Sequence, residues 1–563
     1  MECKSNMDQK MKKRIILAIS LFHVGFLVLC LLFFHPHFET NDDFGIASIV
    51  SGLHGSPDSH LVYFNAILGL FLKQLYVISS SVNWFTLFQY MVMLASAEVI
   101  TLVLISWKDR IGYVLDAAFV VFFLYDAYVN VQFTKTAGMA IAAGYLLIWF
   151  AFFKKKKPLW FLPGIFLALL GSMIRFNVFW IGLAVFAAFM CLEVLLEWKK
   201  RKKEKFWGRN HLFLFASLIV TCLAVLGARF FDSAYYNSDA DWKYYREYNN
   251  ARATVTDSAL PAYNDKKEEY KAIGVSENDR YLYSHWTFDD PELFTMEKME
   301  KLASLKEPVR AGDVVRIIWK EAITTHLSYS FVIPFLAVGA YLIYLKRRNV
   351  LYLILSVLEI LVFTIVFIFM RRYLQYRVDF VIYMFSFLSL AIVALCKSPD
   401  YDEGKKPSFI ILLSVIVLFG NAASFSQDLA NKKANLSKET SQKTIAAYDA
   451  IFQDQSHLYL LETFCDRSSY IYDMFGAYPE GYYANVYHLG GWETQTPVTK
   501  AKLIRFGIVN PFRDAVNNEN VYFISSKFYM DKILAYIQEH YAPEAGYTQV
   551  GQVGEYYLYT VTT

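Results

Sequence analysis

Long apolar runs separated by short polar segments dominate the chain. Eleven runs approach or reach the roughly 17 to 25 residues that a helix needs to cross a bilayer. We predict spans at residues 15–34, 84–106, 111–130, 137–153, 159–173, 178–197, 212–231, 329–345, 350–370, 378–396 and 410–425. The pattern therefore predicts an α-helical polytopic membrane protein with about 11 transmembrane helices.

The basic clusters between these runs predict the orientation. The run 61–78 contains Lys73 and Gln74 and is more amphipathic than the others, as an outer juxtamembrane helix would be. If it does not span, every basic cluster falls on the cytoplasmic side together with residues 1–14, as the positive-inside rule requires. We therefore expect a multi-pass protein of the cell membrane with a cytoplasmic N-terminus. Within the membrane domain, 15–425, the loops 35–83 and 232–328 then lie outside.

The region after the last predicted span has a different pattern. Strand-like runs at 458–462, 521–525 and 555–561 alternate with a helical run at 531–540. We predict a small extracytoplasmic α/β domain at 426–563, and its role stays open.

Composition supports the membrane assignment. The 563 residues are 56% hydrophobic and 19% charged, with a formal net charge of +4, and the basic residues lie in short clusters rather than in a domain that could bind nucleic acid. Four of the six cysteines lie in apolar runs, so no disulfide between soluble segments is expected.

Two adjacent carboxylates, Asp42 and Asp43, follow the first span. A helix starting here needs one capping residue, and Asn41 or Asp42 could supply it. The second carboxylate exceeds that need, so the pair is a candidate for acid–base chemistry.

Five basic residues lie at predicted outer ends of later spans, where the positive-inside bias disfavours them. Any one of them could simply extend into the headgroup region. As a set they indicate an anion, and the phosphate or diphosphate of a lipid is the natural anion at that depth. The candidate phosphate ligands are Lys135, Arg175, Arg371, Arg372 and Arg377.

Two further residues are candidate members of the same pocket. Asp126 lies near the outer end of the third span, although helix capping would explain it equally well. His54 could join His35, His37 and Asp42 around a metal, but interfacial histidines more often contact solvent or headgroups. No metal-ligand spacing is convincing, so no obligatory metal is predicted, and a divalent metal stays possible.

An acidic pair beside a phosphate site fits glycosyl transfer from a polyprenyl-phosphate sugar. The carboxylate would take the proton of the acceptor hydroxyl as it attacks the anomeric carbon. The phosphate would leave as an anion without a general acid, and it would be stabilised by positive charge.

The chain resembles the GT-C superfamily of integral-membrane glycosyltransferases. The resemblance is carried by Asn41-Asp42-Asp43 in the first outer loop, the outer helices 44–53 and 61–78, Asn83-Trp84, and the span count. It implies an inverting glycosyltransferase of the cell envelope that uses a lipid-phosphate sugar donor, with Asp42 or Asp43 as base. Because the loop has no acid-x-acid motif, the metal dependence of some members is not carried over.

Two other function classes stay open on the sequence alone. One is a transporter or flippase of lipid-linked saccharide, although the chain has no repeated halves. The other is a non-catalytic assembly protein of the cell envelope. The sequence leaves open the donor sugar, the oligomeric state and whether the acceptor is a glycan, a lipid or a protein.

Overall fold

The computed structural model of the chain describes residues 2–106, 110–154, 156–200, 208–372, 375–397, 442–465 and 468–563. The helices up to residue 397 are α1 (Glu2–Phe33), α2 (Asn41–Ser51), α3 (Ala66–Ile78), α4 (Trp84–Ile105), α5 (Arg110–Phe119), α6 (Tyr125–Val129), α7 (Phe133–Phe153), α8 (Leu162–Ile174), α9 (Phe176–Lys200), α10 (Arg209–Asn237), α11 (Ala240–Thr256), α12 (Lys267–Ile273), α13 (Glu277–Ser284), α14 (Met296–Ser304), α15 (Ala311–Ile317), α16 (Ile323–Ser328), α17 (Val332–Leu345), α18 (Val350–Phe369) and α19 (Tyr376–Lys397). π-helical turns at Val120–Leu124 and Ile318–Ala322 continue α5 into α6 and α15 into α16.

Eight helices among these described residues are long and apolar enough to cross a membrane. They are Arg14–Phe33, Trp84–Ile105, Ile111–Val129, Phe133–Phe153, Phe176–Leu196, Arg209–Asn237, Arg347–Phe369 and Tyr376–Lys397. Each coincides with a predicted span, which confirms an α-helical multi-pass membrane protein. The described residues thus contain eight of the eleven predicted spans at full length, and the bent pair Ala311–Ser328 and Val332–Leu345 would make a ninth.

Three predicted spans account for that difference. Residues 159–173 lie in the shorter apolar helix Pro158–Ile174, which starts as a 3-10 turn at Pro158. The run 329–345 becomes the 14-residue helix α17, which is bent by 92° from the helical segment Ala311–Ser328. The predicted span 410–425 lies outside the described residues.

The run 61–78 folds as the predicted non-spanning helix. Its helical part, α3, has 13 residues, a length of about 20 Å that is too short for a hydrocarbon core of about 30 Å. The side chain of Asn65 caps it by accepting from the backbone N–H of Ile67.

Helix α2 begins at the acidic pair. Thr40, rather than Asn41 or Asp42, is its N-cap, and both carboxylates lie in the first turn, where the helix dipole favours negative charge. Gly52 ends the helix with φ 80°, a left-handed conformation that glycine adopts without strain. The preceding strand β1 (His37–Phe38) pairs in parallel with β2 (Asn130–Val131) and fixes the loop to the chain between α6 and α7.

The predicted C-terminal α/β domain is present. Its strands are β3 (Leu458–Glu462), β4 (Val486–Leu489), β5 (Val521–Ser525), β6 (Gly546–Val553) and β7 (Tyr556–Thr562). The sheet order is β4-β3-β5-β7-β6, with β3 parallel to β4 and β5, and β7 antiparallel to β5 and β6. The helices of the domain are Gln442–Gln453, Ser468–Ile471, Pro497–Arg505 and Lys527–His540.

The loop after α10 and the C-terminal domain meet through buried carboxylates. Asp289 accepts hydrogen bonds from the hydroxyls of Tyr487 and Thr494, at 2.9 and 3.0 Å. The neighbouring Asp290 accepts from three further side chains of the domain, which are Asn510, Tyr536 and Tyr541. These two regions, distant in sequence, therefore form one packed unit.

We expect this interface to make stability depend on pH. Burial raises the pKa of Asp289 to about 6 from 3.8, despite its hydrogen bonds. The folded protein then binds this proton more tightly than the unfolded chain. The free energy of unfolding should therefore fall as pH rises from about 4 to about 6, by up to about 3 kcal/mol.

The matched variants are Asp289→Asn and Asp265→Asn. An amide oxygen at 289 can still accept from Tyr487 and Thr494 but carries no charge, so the variant should gain thermal stability relative to wild type at about pH 7.5 and not at about pH 4. Asp265 is exposed, and its replacement should leave the melting profile unchanged. Identical pH profiles for wild type and Asp289→Asn would contradict this assignment.

Candidate functional site

Asp43 is fully buried and holds α2 against the membrane helices. Its Oδ1 accepts from the backbone N–H of Phe133, the first residue of α7, at 3.0 Å, and from Nε2 of Gln89 in α4 at 3.2 Å. Burial and the neighbouring charge of Asp42 raise its pKa well above the usual range. A carboxyl in this environment favours the neutral form and ties three elements together.

Asp42 faces the other way. Its side chain is 17% exposed, and Oδ2 lies 3.2 Å from Nη2 of Arg377, at the start of α19. The two adjacent carboxylates therefore have different surroundings: one is a buried anchor, and the other is an accessible group beside a cation.

Arg175 is a second cation near Asp42. It follows α8, and its guanidinium lies 4.6 Å from the ring centre of Tyr63 and 5.2 Å from that of Phe133. It is within electrostatic range of Asp42 and Arg377. Among the described side chains no carboxylate forms an ion pair with Arg175, so its charge is free to meet an anion.

The turn after α18 adds two more cations. Arg372 forms an ion pair with Asp257, at the end of α11, and Arg371 has a left-handed backbone with φ 55°. Burial and the nearby charge of Arg371 lower the pKa of Lys306 to about 8. Arg175 is thus within electrostatic range of Arg372 as well as of Arg377 and Asp42, whereas Arg371 lies near Lys306. That these arginines form one phosphate site stays a prediction.

Lys135 has a different environment from the four arginines. Its side chain is completely buried, and Nζ lies 2.5 Å from Glu39 and 2.6 Å from Asp126. It also donates to the backbone carbonyl of Asn130 at 3.1 Å. Two carboxylates already compensate its charge, and its role as a phosphate ligand stays a prediction.

Glu39 is a site residue that the sequence reasoning missed. It lies three positions before Asp42, and its ion pair with Lys135 joins the first outer loop to α7. Nothing in its spacing distinguishes it, because its partner is 96 residues away in the chain. The cationic neighbour Lys306 was missed for the same reason.

His54 lies at the other end of α2, facing the C-terminal domain. Its Nε2 is 3.3 Å from Glu493, and burial together with the charge of Lys502 lowers its pKa to about 4. Gly45 lies on the same surface, and a Cβ there would collide with Glu493 and Trp492. The domain therefore packs directly on the helix that carries the acidic pair.

A group of possible metal ligands lies elsewhere. Within the described ranges, Asp279, Glu539 and His540 come together where α13 meets the C-terminal domain. His540 Nε2 is already 2.8 Å from Asp279 Oδ1, a direct hydrogen-bonded pair. The expectation that no metal is obligatory stays a prediction.

Comparison with known proteins gives matches among solved structures. Over 97% of each chain, this protein is similar to the crystal structure of ArnT from Cupriavidus metallidurans bound to undecaprenyl phosphate, with 12% identity and a TM-score of 0.40. The apo structure of the same protein matches over 98% of each chain, with 10% identity and a TM-score of 0.37. No protein-family model and no curated protein sequence matches.

Proposed function

We propose that the protein is a membrane glycosyltransferase that transfers a sugar from a polyprenyl-phosphate donor to an acceptor at the outer face of the membrane. Asp42 is the general base, and Asp43 positions it. Arg175, Arg371, Arg372 and Arg377 bind the phosphate of the donor. The observation that carries this proposal is the contact between an accessible carboxylate, Asp42, and Arg377. Arg175, which has no ion-pair partner among the described side chains, lies nearby.

The reaction needs one base and several cations. Asp42 takes the proton of the acceptor hydroxyl while that oxygen forms a bond to the anomeric carbon. The bond from this carbon to the phosphate oxygen breaks, and its electron pair leaves with the phosphate. The guanidinium groups stabilise that developing charge. Attack opposite the leaving group inverts the anomeric configuration.

The donor phosphate would also act on the base, because Asp42 is paired with Arg377. A donor phosphate competes with Asp42 for this guanidinium, and the carboxylate is then free to face the acceptor hydroxyl. Donor binding thus prepares the base.

The outer face is supported by contacts between segments. The first outer loop contacts the C-terminal domain through His54 and Glu493, and that domain contacts the loop after α10 through Asp289. These three segments lie at one end of the membrane helices, the end that the positive-inside rule assigns to the outside. The N-terminus is then cytoplasmic.

Binding of undecaprenyl phosphate tests the phosphate site. We expect Arg175→Gln, in protein reconstituted in nanodiscs, to raise the Kd for the radiolabelled lipid by about 10- to 100-fold, the loss of one charge-assisted contact. Arg310→Gln is the matched control, because Arg310 is 76% exposed and pairs with Glu307. Wild-type affinity in both Arg175→Gln and Arg377→Gln would overturn the assignment.

A further inference from the structure

One segment of the C-terminal domain lies along a membrane helix. Tyr472 accepts a hydrogen bond from Nδ2 of Asn83, the N-cap of α4, at 2.5 Å. Three residues later, the ring of Phe475 stacks on Tyr90 of α4, with the centroids 5.8 Å apart and the planes at 24°. The segment is therefore attached to α4 at two successive levels.

The contact with Tyr90 sets the depth of Phe475. Helix α4 has 22 residues and a length of about 33 Å, close to the hydrocarbon thickness of about 30 Å. Tyr90 lies six residues, about 9 Å, from the first residue of the helix. Its helical neighbours Leu87 and Met91 are exposed apolar side chains, as expected of a surface in contact with lipid. Phe475 lies beside that surface.

A rigid turn presents Phe475. Its backbone N–H donates to Oδ1 of Asp473, and the N–H of Gly476 donates to the carbonyl of Asp473. The N–H of Asp473 in turn donates to the hydroxyl of Tyr478, whose ring stacks on Tyr472 at 5.1 Å. These bonds hold the turn in one conformation.

The residues that follow this turn are hydrogen-bonded to the end of α2. The N–H of Gly481 donates to the carbonyl of Gly52, and that of Tyr483 to the carbonyl of Leu53. Both acceptors lie at the end of α2. The apolar side chains that remain exposed at the tip are Phe475, Ala477 and Pro479.

We propose that this tip, residues 475–479, inserts between lipid acyl chains of the leaflet beside α4. The occupant is a bilayer lipid, because the tip continues the exposed apolar surface that Leu87 and Met91 form on a helix long enough to span. The exposed charged side chains of Asp473 and Glu480 flank the tip and can extend to the headgroups. The C-terminal domain is thereby anchored to the membrane directly, and not only through its chain connection. This anchor is independent of the glycosyl transfer reaction.

Photocrosslinking in proteoliposomes tests the insertion. We replace Phe475 by p-benzoylphenylalanine, an aromatic residue whose ketone inserts into nearby C–H bonds on irradiation. The expected product is a protein adduct heavier by one phospholipid, measured by intact mass spectrometry. The matched control is the same replacement at Phe528, an exposed aromatic residue of the same domain at 61% exposure, which should give no lipid adduct.

Two further positions serve as a positive control and as a second test of the tip. Met91→p-benzoylphenylalanine, on the exposed surface of α4, should form the lipid adduct and show that the probe reacts in the bilayer. Ala477→p-benzoylphenylalanine tests the tip a second time if the variant at 475 is unstable. A lipid adduct at 91 without one at 475 or 477, equal adducts at 475 and 528, or a protein-sized adduct at 475 in cell membranes would overturn the proposal.

Discussion

Asp42→Asn should reduce sugar transfer by about 10²- to 10⁴-fold, the contribution of a general base in a glycosyl transfer. The amide cannot accept the proton of the acceptor hydroxyl. It remains polar and similar in size, and the side chain is partly exposed, so folding should be unaffected. The measurement is incorporation of tritium from a panel of polyprenyl-phosphate sugars into membranes that contain the variant. Asp265→Asn, a change at an exposed outer carboxylate, is the matched control.

Asp43→Asn distinguishes the two adjacent acids. The asparagine carbonyl can accept from Gln89 and from the N–H of Phe133, as Asp43 does, and burial already favours an uncharged side chain here. We expect transfer within about tenfold of wild type, whereas Asp43→Ala leaves both donors unsatisfied at about 1 to 3 kcal/mol each. Full transfer by Asp42→Asn, or a larger loss in Asp43→Asn than in Asp42→Asn, would contradict the assignment of the base.

Lys135→Met should strongly destabilise the protein. Removing the buried ammonium leaves Glu39 and Asp126 without their shared cation, and breaking a buried ion pair costs about 3 to 5 kcal/mol. Thermal unfolding in detergent measures the loss.

Lys301→Met is the matched control for Lys135→Met. Its pair with Glu297 is exposed, at 56% and 77%, and such helical surface pairs contribute little to stability. Equal unfolding temperatures for the two variants would contradict a buried ion cluster. A Lys135→Met protein that is stable but has lost affinity for undecaprenyl phosphate would instead favour its predicted role as a phosphate ligand.

Periodicity along the chain predicted much of the fold. Eight spans and the strands at 458–462 and 521–525 match the structure because their apolar residues are continuous over the full length of the element. Two strands of the C-terminal domain were missed. β4 has only four residues, and β6 contains two glycines and exposes much of its length, so neither has a clear apolar signal.

The sequence predicted part of the site. The rest depends on contacts between residues that are distant in sequence. The positive-inside rule predicted that Asp42 and Arg377 lie on the same side of the membrane, and the structure puts them in contact. The sequence could not separate Asp42 from Asp43, because the difference lies in Gln89 and Phe133, which approach from other helices. Glu39 was missed because an ion pair across 96 positions leaves no local pattern.

The packing of the C-terminal domain on α2 has a consequence for biosynthesis. The acidic pair is synthesised about 450 residues before Trp492 and Glu493, which cover Gly45. Every described span is therefore synthesised before the part of the C-terminal domain that packs on α2. A chain that stops before residue 492 can reach the membrane with its acids in place and still lack the surface that packs on α2. Activity should therefore appear only after the segment that contains Trp492 and Glu493 has been made.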